Sequence, residues 1–223
     1  MYDVKKSLHA VLDTLPSGVR LVAISKFHPA EYIEAAYAEG QRIFGESHEQ
    51  ELRVKHEQLP KDIEWHFIGH LQTNKVKYIA PYVSMIEAVD SLKLLQEINR
   101  QAERCGRVIR VLLELHIAEE ATKYGLTLDA CRELLEGGEW RSMSHVQICG
   151  LMMMASFVDD QEQIRREMQT AADFFDEVKM KYFTNDDAFC ERSWGMSDDY
   201  RIACETRSTM VRIGTAIFGP RIY

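Results

Sequence analysis

Leu21-Val-Ala-Ile-Ser-Lys26, followed by Pro29 to Glu39 with Gly40 behind it and then by Arg42-Ile-Phe-Gly45, is the stretch on which the fold turns. A short apolar run predicts a strand. The segment after it opens on a proline suited to a first helical turn and stops at a glycine, so it predicts a helix. A second short apolar run then predicts another strand. Strand, helix, strand over so few residues is the unit of a parallel sheet with crossover helices.

The same alternation extends along the chain. Arg42 to Gly45 precedes a charged helix over 48–58. Ile63 to Ile68 precedes a helix opening near Leu71 and ending before Pro81. Val83 to Ile86 leads to a helix through Ser91 to Cys105, capped by Gly106, and Ile109 to His116 is followed by a helix from Leu128 to Leu135. Val146 to Met152 precedes a long helix from Asp160 to Tyr182, and Phe189 to Trp194 precedes a helix from Ser197 to Thr206. Met210-Val-Arg-Ile213 is the eighth strand. An open doubly wound sheet gives a similar pattern, but eight strands in this order close naturally as a (β/α)8 TIM barrel. The expected fold is therefore α/β, a single barrel domain spanning 1–223. Ahead of it, Met1 to Leu15 carries apolar residues at 4, 8, 11, 12 and 15, the spacing of an extra amphipathic N-terminal helix.

The chain has 223 residues and a formal net charge of -8, which offers no long-range attraction to phosphate backbones, so nucleic acid is not an expected partner. No continuous apolar stretch suggests a membrane span or signal peptide. The five cysteines (Cys105, Cys131, Cys149, Cys190, Cys204) are scattered and odd in number, which fits a reducing cytoplasm better than a disulfide framework. The acidic surface leads to the expectation of a monomer.

Barrel chemistry sits at the carboxyl ends of strands. Lys26 follows the first strand directly, where partial desolvation lowers an amine's pKa and leaves it able to attack an aldehyde; a strand-end lysine reaching solvent has the same spacing. At the other end of the sequence, Met210 to Ile213 runs into Gly214-Thr215, which lets backbone amides and a hydroxyl approach an anion. The seventh strand adds Ser193-Trp-Gly-Met-Ser197. Barrels often hold phosphate in the loops after strands 7 and 8, although ordinary tight turns use the same residues. Closure would set both loops beside Lys26. A carbonyl-reactive lysine next to an anion cradle is the minimum equipment for pyridoxal phosphate (PLP).

Other candidates are less specific. His66 and His70 have no completing cysteine or carboxylate nearby, so no metal site is expected. Met152 to Met154 read as core, Glu114 and His116 as inward-facing strand residues, and Arg100, Arg104, Arg107 and Arg110 as a solvated face.

The motifs Ala23-Ile-Ser-Lys26, Phe44-Gly-Glu46, Trp65 to Lys75 (WHFIGHLQTNK), Gly150-Leu-Met152, Gly195-Met-Ser-Asp198 and Ser208 to Gly219 (STMVRIGTAIFG) together resemble the YggS-type pyridoxal phosphate homeostasis proteins, relatives of the alanine racemase barrel domain. The resemblance implies that Lys26 is the imine lysine and that Ser193, Ser197, Arg212, Gly214 and Thr215 fall in the phosphate-binding region. Asn74 and His66 would line the cofactor's neighbourhood. Two positions depart from the family pattern: Ser47 stands for an asparagine, and Trp194 for a methionine, the larger ring being expected to pack within the barrel. The resemblance also implies that racemisation needs a second base and lid from a further β domain, for which the four residues after Gly219 leave no room. The expected role is thus PLP binding and homeostasis, with handover to PLP-dependent apoenzymes and without robust turnover. An amino-acid racemase or lyase is the alternative, and a phosphosugar aldolase fits the bare pattern but not the motifs.

Overall fold

In the computed structural model, residues 2–117 and 124–220 are described. Eight parallel strands close in sequence order: β1 Arg20–Ile24, β2 Ile43–Glu46, β3 Glu64–Phe67, β4 Met85–Val89, β5 Ile109–Leu115, β6 Val146–Met153, β7 Glu191–Ser193 and β8 Met210–Ile213. β1 pairs with β8 from Arg20 opposite Met210 to Ala23 opposite Ile213, which shuts the barrel. The helices are α1 Val4–Leu12, α2 Ala30–Ala38, α3 Glu49–Gln58, α4 Val76–Ile79, α5 Leu92–Arg104, α6 Leu128–Gly137, α7 Gln161–Tyr182, α8 Tyr200–Glu205 and α9 Thr215–Phe218. The closed (β/α)8 barrel is the architecture that the strand–helix alternation predicts.

Alternation along each strand sorts side chains into two layers. Leu21, Ala23, Phe44, Trp65, Phe67, Val111 and Leu113 face the helices and form the large outer core. Val22, Met85, Leu112, Met152 and Met210 fill the inside, so Met152 is core, as expected. Four helices begin on side chains that accept a first-turn amide: Asp3 from Lys6, Ser91 from Leu94, Thr127 from Ala130, and Asp160 from Glu162 and Gln163. α1 buries Val4, Leu8 and Val11 and packs on α2 and α9, so the first helix closes over the last one.

Several segments differ from expectation, among them β7, which covers only Glu191–Ser193 of the expected Phe189 to Trp194. β4 starts two residues late, because Val83 N–H still donates to Ile79 O and Arg107 donates to the carbonyls of Ala80 and Val83. Arg107 is thereby removed from the solvated face to which it was assigned. Instead of a full helix from Leu71, a single 3-10 turn over Thr73–Lys75 runs into the one-turn α4; Thr73 and Asn74 are weak helix formers, and Pro81 ends the segment. α8 starts only at Tyr200, because the Asp199 carboxylate takes the Met196 N–H and folds 196–199 into a turn.

β6 carries an extra residue where its pairing slips: Val111 stands opposite Ile148, but Leu112 opposite Gly150. Gly150 lies so close to β7 that a Cβ there would come 1.9 Å from Glu191 O. Backbone cannot move aside as a flexible side chain can. Gly150→Ala is expected to cost roughly 3 kcal/mol, seen as a lower urea midpoint with an unchanged slope.

Candidate functional site

The carboxyl ends of the strands surround a cavity of about 680 Å³, within the usual range for a small-molecule site. Of the residues singled out by sequence, Lys26, Ser197, Arg212, Gly214 and Thr215 line it, together with Ser47 and Glu114. Lys26 enters from the end of β1 and is half-buried.

Facing it across the β1–β8 seam is an anion-competent wall. α9 starts at Thr215, directly after β8, and the first amides of a helix have no acceptor within it. Gly214 N–H points to Ser197 Oγ at 3.4 Å, which joins the loops after β7 and β8. A Cβ at Gly214 would lie 3.0 Å from Ile24 O, so the glycine lets this turn sit against the end of β1. Gly195, at φ 96°, has no room for a side chain either, since a Cβ would meet Ala203 at 2.4 Å. Closure thus brings the two loops and Lys26 to one cavity.

His66 and Ser193 are elsewhere, in a polar layer inside the barrel. His66 Nδ1 is 2.6 Å from Glu87 Oε1, and Ser193 Oγ donates to Glu87 Oε2 at 2.6 Å. Arg212 Nη1 donates to the carbonyl and hydroxyl of Ser193, both at 2.7 Å, and Nη2 to Met153 O at 2.8 Å. Neither His66 nor Ser193 lines the cavity; Ser193 bonds directly to Arg212, which does, while His66 bonds to Glu87, 4.0 Å from that guanidinium. Burial would raise the Glu87 carboxyl, but the bond to His66 and the charges of His66 and Arg212 outweigh it and hold it below its ordinary value. Burial pulls Arg212 down, yet a guanidinium stays charged under such conditions. Glu87 escaped the sequence reading, although a lone acid in the apolar run Met85-Ile-Glu-Ala-Val89 was the available signal.

Asn74, on the 3-10 turn, is exposed and does not line the cavity. His70 does, but its partners are Asp90 (3.0 Å) and the Tyr124 ring (centroids 3.9 Å apart), not those of His66. His116 lies just past β5, and only Glu114 reaches the cavity wall. Trp194 is fully buried, but in the outer core: Ser193 takes the inward position of β7, so its neighbour must point out toward the helices. The expectation that this ring packs inside the barrel is corrected accordingly.

Two buried carboxyls are poised near neutrality. Burial pushes Glu114 up to about 7, with Asp90 adding and Arg212 opposing. Burial does the same to Glu46, up to about 7, against the pull of Lys55. For both, the folded pKa lies above the unfolded one, so their contribution to stability is present at pH 4.5 and is lost as pH rises through 7. Glu114→Gln should flatten that loss by up to about 3 kcal/mol, read from urea midpoints at pH 5 and pH 7.5.

Residues 4–221 match the model of the alanine racemase N-terminal domain. A pyridoxal phosphate homeostasis protein of Aquifex aeolicus is 37% identical over 92% of this chain and 88% of its own length. The human protein of the same name is 36% identical over 92% of this chain and 77% of its own. The solved structure of PipY from Synechococcus elongatus with PLP bound superposes with a TM-score of 0.88 at 32% identity, covering 97% of this chain and all of that one. An alanine racemase of Clostridium difficile, 14% identical, shares the fold at a TM-score of 0.75, with 98% of this chain matching 56% of that one. On this footing the chain belongs to the alanine racemase N-terminal domain family and, within it, groups with the pyridoxal phosphate homeostasis proteins.

Proposed function

We propose that this chain, as one domain over 1–223, holds pyridoxal phosphate by an imine to Lys26 and serves PLP homeostasis rather than sustained turnover. The observation that carries the reading is that Lys26 and the Ser197, Gly214 and Thr215 wall line one cavity. The fit is chemical as well as spatial: an amine for the aldehyde, amides and hydroxyls for the phosphate, and a volume suited to a small ligand. The PLP held by PipY and the names of the relatives support it.

Each residue has a task. Lys26 presents the amine. Ser197 and Thr215 supply hydroxyl donors, and Gly214 allows the backbone to come close. Arg212, fixed by Ser193 and Met153, keeps a permanent cation on the wall. When bound, PLP supplies an aldehyde for reversible condensation and a ring able to withdraw electrons. Were the ring held against Arg212, this fixed cation would disfavour protonating it and so weaken electron withdrawal, which would favour holding over carbanion chemistry.

Among the described residues no helix is long and apolar enough to cross a membrane. Free cysteines and a net charge of -8 support a monomer in a reducing cytoplasm, supplying PLP-dependent apoenzymes. The racemase or lyase reading is tested by turnover: loaded protein racemising an L-amino acid at about 10 per second would replace the present one.

The direct experiment is an absorption titration with PLP. The parent protein is expected to develop an imine band that Lys26→Ala abolishes. An undiminished band in that variant removes Lys26 from its role.

A further inference from the structure

The residues on either side of Lys26 are gripped by a single buried cluster of charges. Ser25 Oγ donates to Glu46 Oε1 at 2.6 Å, and Ser25 O accepts from Lys55 Nζ at 2.7 Å. On the other side, Phe27 N–H donates to Glu51 Oε1 at 2.7 Å. Lys55 Nζ completes the cluster by donating to Glu46 Oε1 and Glu51 Oε1, both at 2.7 Å. Its three acceptors match the three protons of an ammonium group.

The cluster draws on three elements. Glu46 is the last residue of β2, Glu51 and Lys55 lie one turn apart on α3, and the residues they hold follow β1. Glu46 is fully buried and Lys55 is 5% exposed. Desolvating such groups offsets much of their mutual attraction, so a cluster like this adds little stability for its size. Its effect is geometric. Phe27 has φ 65°, in the left-handed region that a bulky residue rarely adopts, and its amide is pinned there by a charged acceptor. Its ring rests 5.4 Å from that of His48, the residue preceding α3.

We propose that Glu46, Glu51 and Lys55 are positioning residues for Lys26, clamping the peptide on both sides so that its amine enters the cavity in one fixed direction. The inference rests on the reading of Lys26 as the PLP-bearing lysine. Preorganisation of this kind matters most for a reaction that must align an amine with a carbonyl while the phosphate is held elsewhere.

Glu51 is the member to alter. Replacing Glu46 or Lys55 strands a buried charge and endangers folding, whereas the Glu51 side chain is 23% exposed. Glu51→Ala removes the acceptor for Phe27 N–H. Glu51→Gln removes the charge but keeps an oxygen for that amide. Both lose the ion pair with Lys55, so a purely structural role lowers thermal stability and PLP binding together in the two variants.

A positioning role separates them. With folding confirmed by circular dichroism, Glu51→Ala is expected to need about tenfold more PLP for half-maximal imine absorbance, or to form the band about tenfold more slowly, with Glu51→Gln close to the parent. A folded Glu51→Ala with the parent's affinity and rate overturns the proposal, as does equal impairment of the two variants. Lys26→Ala is run alongside. If it keeps the imine band, the reading beneath the proposal has failed, and the clamp has no amine to position.

Discussion

Everything about the site depends on one row of backbone hydrogen bonds, the seam between β1 and β8. It pairs Arg20 with Met210 and Ala23 with Ile213, elements almost the full chain apart. In an open sheet these would be two distant edges, with Lys26 on one and Gly214-Thr215 on the other. Because the seam closes, the strand that leads to the Lys26 amine and the strand that leads to the anion-competent turn are neighbours. Glycine at 214 suits this junction, since a Cβ there would stand 3.0 Å from Ile24 O.

Below the cavity, the barrel interior is not uniformly apolar. Glu87, His66, Ser193 and Arg212 form a connected polar layer on top of a methionine-rich plug. A charge buried this deeply costs free energy unless it is paired and hydrogen-bonded, and here Glu87 and Arg212 both have partners. What the layer achieves is direction: two carbonyls, a hydroxyl and a carboxylate hold the Arg212 guanidinium at the cavity floor. An arginine on a solvated loop would supply the same charge without a fixed orientation.

The strands were readable because each is a short apolar run between polar or glycine-bearing turns, and the barrel because eight such runs alternate with helical segments. What escaped reading depends on contacts between distant segments. β4 starts late because Arg107, over twenty residues further on, holds the carbonyls of Ala80 and Val83. Lys26, Ser197, Gly214 and Thr215 could be picked out by their place after strands. His66 and Ser193 share the right strand ends, but alternation points them into the barrel, and only the register shows that. Glu46 lies in the Phe44-Gly-Glu46 motif and Glu51 and Lys55 are four apart, but nothing local shows that the three meet, since α3 reads as an ordinary charged helix until β2 and the end of β1 are laid against it.

The seam also sets an order of events during synthesis. β1 leaves the ribosome ahead of its partner β8, which lies some 190 residues later, on the order of ten seconds or more at ordinary elongation rates. Throughout that interval β1 has an unpaired edge, and α1 lacks the α9 surface on which it packs. The turn over Gly214 and Thr215 follows β8 and is made only after that interval. Lys26 is therefore made well before the segment that completes the cavity around it, and the turn after β8 can line that cavity only once β8 has docked on β1.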